Sequence, residues 1–468
     1  MKLPFASHQD NLSSPHNHIK QQITGKSSEF ESVDRKSISL SEDPLPLDNY
    51  EIVNQFEEWD SLIGELGFHD DPAKSTYLSS IQSDVIPPIM PLFLNSDSDE
   101  FMTRYNIDNE NRFDFVDELS QIAECFETQS LQLAHVILAR LNQRLISPNG
   151  KPLQRAAFYF KEAIQDLLTG STRSSSSSSE IVQLITAYKI FSTVSPIPMF
   201  SNLTANQTIL EAVEVATIVH VIDFDIGIGG HWASFMKEIS EKSEFRKVNS
   251  PAFRITAVVP EEYETQSRLI RDNLFQFALD LNIRFEIDFV SVRTFENLSF
   301  KSIRFLNGEK IAVVLTPTIF RRFDAGFVND LRRISPDVIV QVDGEGLITS
   351  LFRETVMNGV EFYSTIMESL EASNRDGGGE WMRKIEMFVL FPKIIAMVEA
   401  AGRRVTPWRE AFGGAGMRPV KQSRFADFQA ECLLRRIQVR GFHVAKQQEE
   451  MVLCWHSRPL VATSAWRY

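Results

Sequence analysis

Two different spacings of apolar residues divide this chain of 468 residues. From about residue 113 to residue 216, apolar side chains recur at helical spacing, which predicts a series of helices. From residue 219 onward, short runs rich in Val and Ile alternate with stretches of helical spacing. This alternation predicts a parallel sheet with helices on both faces. A helical region therefore leads directly into an α/β body.

Prolines, glycines and serines divide the helical region. The predicted helices lie at about 113–147, 153–168, 181–194 and 205–216. Ser195-Pro196-Ile197-Pro198 is predicted to stop the third of these helices, and Thr204 to cap the fourth. A wide apolar face interrupted by breakers favours a subdomain packed on the α/β body over a dimerising coiled coil. Contacts with a second chain through the outer face stay open.

Short apolar runs mark the strands. Those of the parallel sheet lie at 219–223, 253–259, 284–290, 311–315 and 336–343. A run at 439–444 follows later, and then two runs, 451–455 and 460–466, joined by the four residues 456–459, predict an antiparallel hairpin. A parallel sheet that ends in an antiparallel hairpin is typical of S-adenosylmethionine-dependent methyltransferases. We therefore predict a methyltransferase-type, mostly parallel α/β fold with a C-terminal antiparallel hairpin.

Charge and cysteine content narrow the class of protein. A net charge of −14 argues against a surface that is basic throughout, so nucleic acid would need a local basic patch. Cys125, Cys432 and Cys454 are too few and too widely spaced for a disulfide framework or a cysteine metal site. No stretch approaches the ~18 continuous apolar residues of a membrane span, and the first residues lack the pattern of a signal peptide. We expect a soluble intracellular protein that binds no metal and no membrane.

Residues 1–108 are predicted to form a disordered, acidic N-terminal region, because they are polar and interrupted by prolines. Within them, 56–68 alternates acids with large apolar residues, and 85–93 is apolar but broken by prolines. Acidic-hydrophobic segments of this kind are typical of transcriptional interaction motifs. A short helix docked on the folded body is the alternative for 56–68, and composition leaves both open.

The first predicted strand runs into a glycine-rich turn of the kind that binds cofactors. Residues 225–231 approximate the methyltransferase pattern D-x-G-x-G-x-G, and an acid after the second strand would bind ribose hydroxyls. The candidate ligand cleft therefore comprises Asp225, Gly227, Gly229, Gly230 and Glu261. His231, however, stands at the third glycine position, and no second catalytic motif accompanies the turn. We predict no cofactor and no catalytic residue.

The polar residues around this turn have two interpretations. Asp223 and Asp225 could act as general acids or bases, but no partner acid, base or metal ligand lies at a useful spacing. We favour a structural role, in which they cap the following helix or pair with arginines. His220 lies within an apolar strand, so we predict a hydrogen-bonded core residue rather than a ligand.

Several short motifs, in a fixed order, resemble those of the GRAS family of plant transcriptional regulators. The stretch Val219-His220-Val221-Ile222-Asp223 resembles the VHIID motif. The residues that resemble the PFYRE elements are Pro336, Phe362, Tyr363, Arg409 and Glu410. Those that resemble the terminal SAW region are Arg440, Gly441, Trp455, Ser464, Ala465 and Trp466. The glycine turn and 426–432 are similar to the Scarecrow-like branch, and no DELLA motif is present.

The resemblance covers most of the chain and implies a Rossmann-like core with an α-helical cap. It predicts a GRAS domain over 109–468. The successive regions, named as in the family, are expected at 109–173 (leucine-rich region I), 188–253 (VHIID), 262–298 (leucine-rich region II), 309–392 (PFYRE) and 395–468 (SAW).

The resemblance also implies a function. It implies a nuclear, non-enzymatic regulator of transcription in plant development. Such a protein would bind other transcriptional regulators or chromatin-associated proteins, and would form homodimers or heterodimers with other GRAS proteins. The alternative is an S-adenosylmethionine-dependent methyltransferase or a small-ligand sensor that uses the glycine turn.

Scattered arginines, several of them in pairs, are candidate local basic features for contacting DNA. Arg321-Arg322, Arg332-Arg333 and Arg435-Arg436 could contact phosphates, although solvated surface charges are the interpretation we favour. The pairs Arg403-Arg404, Arg332-Arg333 and Arg435-Arg436 are too short to form a basic nuclear-import run. Direct DNA contact therefore stays open.

Overall fold

The computed structural model describes residues 115–170, 177–323, 326–373, 379–403, 407–447 and 449–468. The predicted disordered region and its two apolar segments lie outside the described residues. Within the described part, no helix is both long enough and apolar enough to span a bilayer.

Within the described residues, five helices precede the first strand. They are α1 (Phe115–Glu127), α2 (Leu131–Arg144), α3 (Pro152–Thr169), α4 (Ser178–Val194) and α5 (Pro196–Ala212). The sequence predicts one continuous helix over about 113–147. That prediction is wrong, because the helix is interrupted between α1 and α2. At the break Gln129 has a φ of 55°, a left-handed conformation that a helix cannot accommodate.

The predicted end of the third helical segment is confirmed, because α4 ends at Val194, but the predicted start of the next helix at residue 205 is wrong. Ser195 ends α4 and also caps α5, which begins at once at Pro196: the Ser195 hydroxyl accepts a hydrogen bond from the Ile197 N–H at 3.3 Å. A proline at the first helical position needs no N–H partner, so Pro196 fits there. Thr204 is no cap. It lies buried within α5 and donates its hydroxyl to the Phe200 carbonyl at 2.7 Å.

Strands and helices then alternate through the α/β body. In chain order they are β1 (Ile218–Asp223), α6 (Gly230–Arg246), β2 (Ala252–Val259), a 3₁₀ turn (Glu261–Tyr263), α7 (Glu264–Asp280), β3 (Phe285–Ser291), α8 (Val292–Leu298), a second 3₁₀ turn (Ser299–Ser302), β4 (Lys310–Leu315), α9 (Ile319–Arg322), α10 (Gly326–Arg333) and β5 (Val338–Asp343).

The remaining elements close the fold. They are α11 (Phe352–Ser373), α12 (Glu380–Ile385), a π-helical segment (Glu386–Leu390), α13 (Phe391–Ala400), α14 (Trp408–Gly414), β6 (Arg418–Val420), α15 (Arg424–Ile437), β7 (Phe442–Gln447), β8 (Glu450–Trp455) and β9 (Arg458–Arg467).

The strands of the described part of the chain form one nine-stranded sheet with the order β3-β2-β1-β4-β5-β9-β8-β7, and β6 pairs beside β9. β1 to β5 are parallel, whereas β9 runs antiparallel to both β5 and β8. The predicted fold class, a methyltransferase-type sheet with a C-terminal antiparallel hairpin and a helical cap, is confirmed.

The hairpin connection is shorter than predicted. Two residues, His456 and Ser457, join β8 to β9, and Arg458-Pro459 already belong to β9. His456 has a φ of 51°, and its N–H donates to the Gly441 carbonyl at 2.7 Å. The pairing shifts register beside Pro459, and such an irregularity accommodates a proline that has no N–H to donate.

Three apolar clusters hold the described structure together. The first joins α1 to α4 with α11, α13 and the hairpin. The second packs α5, α6 and α7 on one face of the parallel sheet. The third fills the other face with phenylalanines from α8, α9 and α10 and with the aromatic residues of α14. The helices before β1 therefore bury their apolar faces within the chain.

Candidate functional site

β1, which carries the VHIID residues, is the centre of the parallel sheet, with β2 on one side and β4 on the other. The chain connections leave in opposite directions on the two sides of β1. In open α/β sheets, the crevice beyond such a point is where ligands bind. Val219, Val221 and Ile222 are fully buried and support the strand from both faces.

His220 belongs to a buried polar network within the sheet. Its Nδ1 lies 2.9 Å from the Glu309 carboxylate, and its Nε2 lies 2.9 Å from the Thr256 hydroxyl. Arg254 donates to the same carboxylate at 2.6 Å. Burial lowers the pKa of His220, and the opposing effect of Glu309 is smaller. The imidazole is therefore a neutral structural bridge between neighbouring strands.

Asp223 ends β1 and organises the turn that follows. One carboxylate oxygen accepts a hydrogen bond from the Asp225 N–H at 2.9 Å, and the other from the Trp232 indole N–H at 2.8 Å. The side chain is fully buried. His231 Nε2 lies 3.6 Å from the second oxygen. Asp223 thus ties the end of the strand to the first turn of α6, and both of its oxygens are engaged.

The glycines of the turn serve helix packing as well as backbone shape. Gly227 and Gly229 have φ values of 55° and 76°, which favour glycine. A Cβ at Gly229 would lie 2.8 Å from Ile270 of α7, whereas a Cβ at Gly227 would meet nothing within 4 Å. Gly230 is buried as the first residue of α6. Gly229 therefore lets α7 approach the turn closely.

The turn does not fit an adenosyl group bound as in methyltransferases. The Tyr263 hydroxyl donates to the Gly227 carbonyl at 3.1 Å, so a protein side chain already spans from the end of β2 to the turn. The acid expected to bind ribose, Glu261, is exposed on the 3₁₀ turn. Gly229 faces Ile270. His231 supplies a bulky ring where the third glycine is expected.

Asp225 is the one acid of the turn that solvent reaches. The neighbouring protein atoms nonetheless remove part of the water around its carboxyl, and this desolvation raises the pKa of the carboxyl. Lys393 acts in the opposite direction, and Asp223 adds to the rise. Burial, together with the charge of Asp225, also raises the pKa of Tyr188 to about 12. The charge of Asp225 therefore acts on both Lys393 and Tyr188.

The residues that resemble PFYRE separate into two groups. Phe362 and Arg409 line one recess of about 490 Å³ at the carboxyl end of β5. Pro336 is buried before β5, Tyr363 is buried against Phe160 with ring centroids 6.0 Å apart, and Glu410 is exposed. Of the five residues that resemble PFYRE, the structure therefore brings Phe362 and Arg409 together in this recess.

Arg409 is held on both sides. Its guanidinium donates two hydrogen bonds to Glu450, at 3.1 and 2.7 Å, and lies 4.2 Å from the centre of the Trp408 ring. Trp408 in turn donates to Asp343 at 3.3 Å. Asp343 had no motif to mark it. The available signal was its position, because it is the last residue of a buried parallel strand.

The SAW residues are packing residues of the antiparallel strands. Ser464, Ala465 and Trp466 pair with Gln341, Val340 and Ile339 of β5. The Trp466 ring contacts Phe412 and Trp408, at centroid distances of 5.3 and 5.8 Å. Trp455 is buried, and a Cβ at Gly441 would come within 2.7 Å of its ring. Arg440 is exposed.

The arginine pairs are largely engaged with acids. Arg321 pairs with Glu345, Arg322 with Glu296 at 2.9 Å, Arg333 with Asp330 at 2.7 Å, and Arg435 with Glu431 at 3.5 Å. The side chain of Arg332 lies over the Tyr468 ring. These contacts reduce the positive charge that the pairs offer to a phosphate backbone.

Comparison with known proteins gives consistent matches. The GRAS domain family model matches residues 115–467. Scarecrow-like protein 15 of Arabidopsis thaliana is 48% identical over 92% of this chain and 96% of its own length. Scarecrow-like protein 6 of Arabidopsis thaliana is 37% identical over 75% of this chain and 62% of its own length. The crystal structure of SCL7 in Oryza sativa shares the fold with a TM-score of 0.59 and 24% identity, covering 76% of this chain and 100% of that one.

The extent of these matches settles the family, because the family model spans more than half of the chain and a relative with 48% identity is covered almost completely. The ordered VHIID, PFYRE and SAW residues lie within the matched range. The chain is a member of the GRAS family of plant regulators and is similar to its Scarecrow-like proteins.

Proposed function

We propose that this protein is a nuclear regulator of transcription in plant development and acts by binding other proteins. Its partners would be transcriptional regulators or chromatin-associated proteins, and it would form homodimers or heterodimers with other GRAS proteins. Membership of a family of plant regulators supports this proposal.

One observation carries the proposal: the polar atoms of the VHIID strand are used inside the protein. Both Asp223 oxygens accept hydrogen bonds at the turn, and both His220 nitrogens are paired within the sheet. A catalytic group must reach a proton or a reacting atom of the substrate. These residues instead stabilise the α/β body, which supports a non-enzymatic scaffold.

A reporter assay tests this function. The full chain, tethered to a heterologous DNA-binding domain, should change reporter expression, and a fluorescent fusion should accumulate in the nucleus. Asp225→Ala removes the one solvent-accessible acid of the turn and keeps the backbone N–H that Asp223 binds. A scaffold should therefore regulate equally well with this variant. Cytoplasmic retention together with an unchanged reporter would contradict the proposal.

Methyl transfer is the competing function, because the turn retains two glycines with positive φ. Isothermal titration calorimetry with S-adenosylmethionine separates the two. We expect no saturable heat, since Tyr263 bonds across the turn and Gly229 faces Ile270. A saturable signal that Asp225→Ala abolishes would establish the cofactor site instead.

We further propose that the protein contacts DNA directly. Binding through arginine–phosphate pairs should weaken steeply as salt concentration rises, because phosphate contacts release counterions. A filter-binding series with a random-sequence DNA pool measures this slope. Replacement of Arg332 and Arg333 by Gln should reduce it, and binding that is absent or indifferent to salt would rule out contact of this kind.

A further inference from the structure

The recess beyond β5 is built from parts of the chain that are far apart in sequence. Its volume is about 490 Å³, and its lining includes Phe320 after β4, Asp343 at the end of β5, Phe362 of α11 and Trp408 of α14. The β8–β9 hairpin supplies a further wall. Aromatic rings and charged groups therefore face a single space.

The positive charges of this recess are matched by carboxylates. Arg321 pairs with Glu345, Arg409 donates two bonds to Glu450, and Arg458 lies 3.6 Å from Glu368. An anion would have to displace one of these acids to reach a guanidinium. The recess is consequently poorly suited to a negatively charged ligand.

Two further carboxylates lack a guanidinium of their own. Asp343 accepts a 3.3 Å hydrogen bond from the Trp408 indole N–H and a backbone hydrogen bond from Glu345. Its ion pair, at 4.0 Å, is with Arg409, which Glu450 already engages. Burial chiefly, and then the charge of Glu345, raises the pKa of Asp343 to about 6. Glu361 also lines the recess, and its carboxylate has no hydrogen bond or ion pair with any described residue. Negative charge is therefore in excess here.

A buried amide lies on the same face of β5 as Asp343. Asp343 pairs with Ala462 across β5 and β9, and both line the recess. Gln341, two residues earlier and so on the same face of β5, is completely buried, and neither of its side-chain polar atoms has a partner. A buried amide without protein partners is costly, so the sheet beside Asp343 adds polarity to this region and no compensating positive charge.

We propose that this recess binds a ligand with an amidinium, guanidinium or ammonium group attached to an apolar body. The cation pairs with Asp343 and Glu361, and the apolar body contacts Phe320 and Phe362. A planar guanidinium or amidinium suits the carboxylates because it donates parallel hydrogen bonds. The source is a free small molecule or a basic side chain of a bound peptide, since the two present the same group.

Benzamidine and benzoate test the proposal with the full-length chain, because they share a shape and differ in charge. Calorimetry or ligand-observed NMR should show saturable benzamidine binding at millimolar concentration, with benzoate weaker by about tenfold or more. Equal binding of the two compounds, or no saturable binding of benzamidine, would overturn the proposal.

Charge-neutralising variants locate the site. Asp343→Asn should weaken benzamidine binding by about tenfold, whereas Glu399→Gln, an exposed acid on α13 outside the recess, should leave it unchanged. Glu361→Gln is a second test variant and should also weaken benzamidine binding. Its side chain has no partner among the described residues, so the substitution should not disturb the fold. If neither recess variant weakens binding more than Glu399→Gln does, the assignment is wrong.

Arginine amide and a capped tripeptide with a central arginine distinguish the source. Tighter binding of the tripeptide indicates a peptide side chain, and tighter binding of arginine amide indicates a free small molecule. Failure of both, in a protein whose melting temperature is normal, would overturn the proposal while leaving the regulatory function untouched.

Discussion

At the residue scale, the polar members of the central motif stabilise the core. His220 bridges Glu309 and Thr256, and Arg254 completes the network with a 2.6 Å bond to Glu309. Buried ionic groups are tolerated only when every partner is present. The polar residues of the motif therefore stabilise the interior of the sheet.

Acid should weaken the fold through His220. In the unfolded chain the imidazole takes up a proton near its ordinary pKa of about 6.5, whereas the folded protein resists protonation because burial lowers that pKa. Stability should therefore fall as the pH drops below about 6.5 and level off below the lowered folded pKa. Urea unfolding at a series of pH values measures this loss.

His220→Gln is the matched comparison, because a glutamine does not titrate and can still pair with Glu309 and Thr256. The other titrating groups are common to both proteins. The pH-dependent loss should be smaller in the variant than in the parent chain. Equal losses would assign the acid sensitivity to other groups.

Gly229 should be less replaceable than Gly227. Both have a positive φ, so alanine costs about 1 kcal/mol of backbone strain at either position. At Gly229 the new methyl group would also lie 2.8 Å from Ile270, and such overpacking costs about 1–3 kcal/mol more. The difference in unfolding free energy between the two alanine variants measures the cost of the contact with Ile270 of α7. Equal losses of stability would show that α7 moves to accommodate the methyl group.

At the element scale, β9 joins the parallel and antiparallel parts of the sheet. It pairs with β5, β6 and β8. Its Trp466 ring packs against Trp408 and Phe412 of α14. The last strand therefore holds in place the helix that carries Arg409.

Trp466→Ala should lower the unfolding free energy by about 2 kcal/mol, less than a full core tryptophan, because the ring is only partly buried. Arg467→Ala, at the exposed end of the same strand, should change it by about 0.5 kcal/mol or less. Thermal and denaturant unfolding measure both. An unchanged melting temperature with lost partner binding would make Trp466 a recognition residue instead.

At the scale of the whole molecule, the family model matches residues 115–467. We expect a chain of residues 109–468 to fold and to bind partners, because the three apolar clusters lie within it. Circular dichroism and a cooperative melting transition check this. A chain of residues 131–468 is the control: it lacks α1, with buried Leu119 and Ile122, and should melt at a lower temperature. Failure of the 109–468 chain to fold would move the domain boundary.

The sequence alone determined the fold class and the family of this protein. The spacing of apolar residues predicted the parallel sheet and its hairpin, because a buried strand and an amphipathic helix each impose their own period. The ordered motifs identified the family. Helix ends were less certain: the break at Gln129 and the start of α5 at Ser195 depend on backbone conformation and on contacts such as that of Thr204 with Thr463.

Only the tertiary structure decided what the polar residues do. Asp223 could have been an acid, a base or a cap until both of its oxygens were found in hydrogen bonds. The recess around Asp343 had no linear pattern, because its walls come from five segments between residues 317 and 462. Side chains so far apart in sequence meet only through the pairing of β9 with β5, and the physical character of the recess follows from that contact.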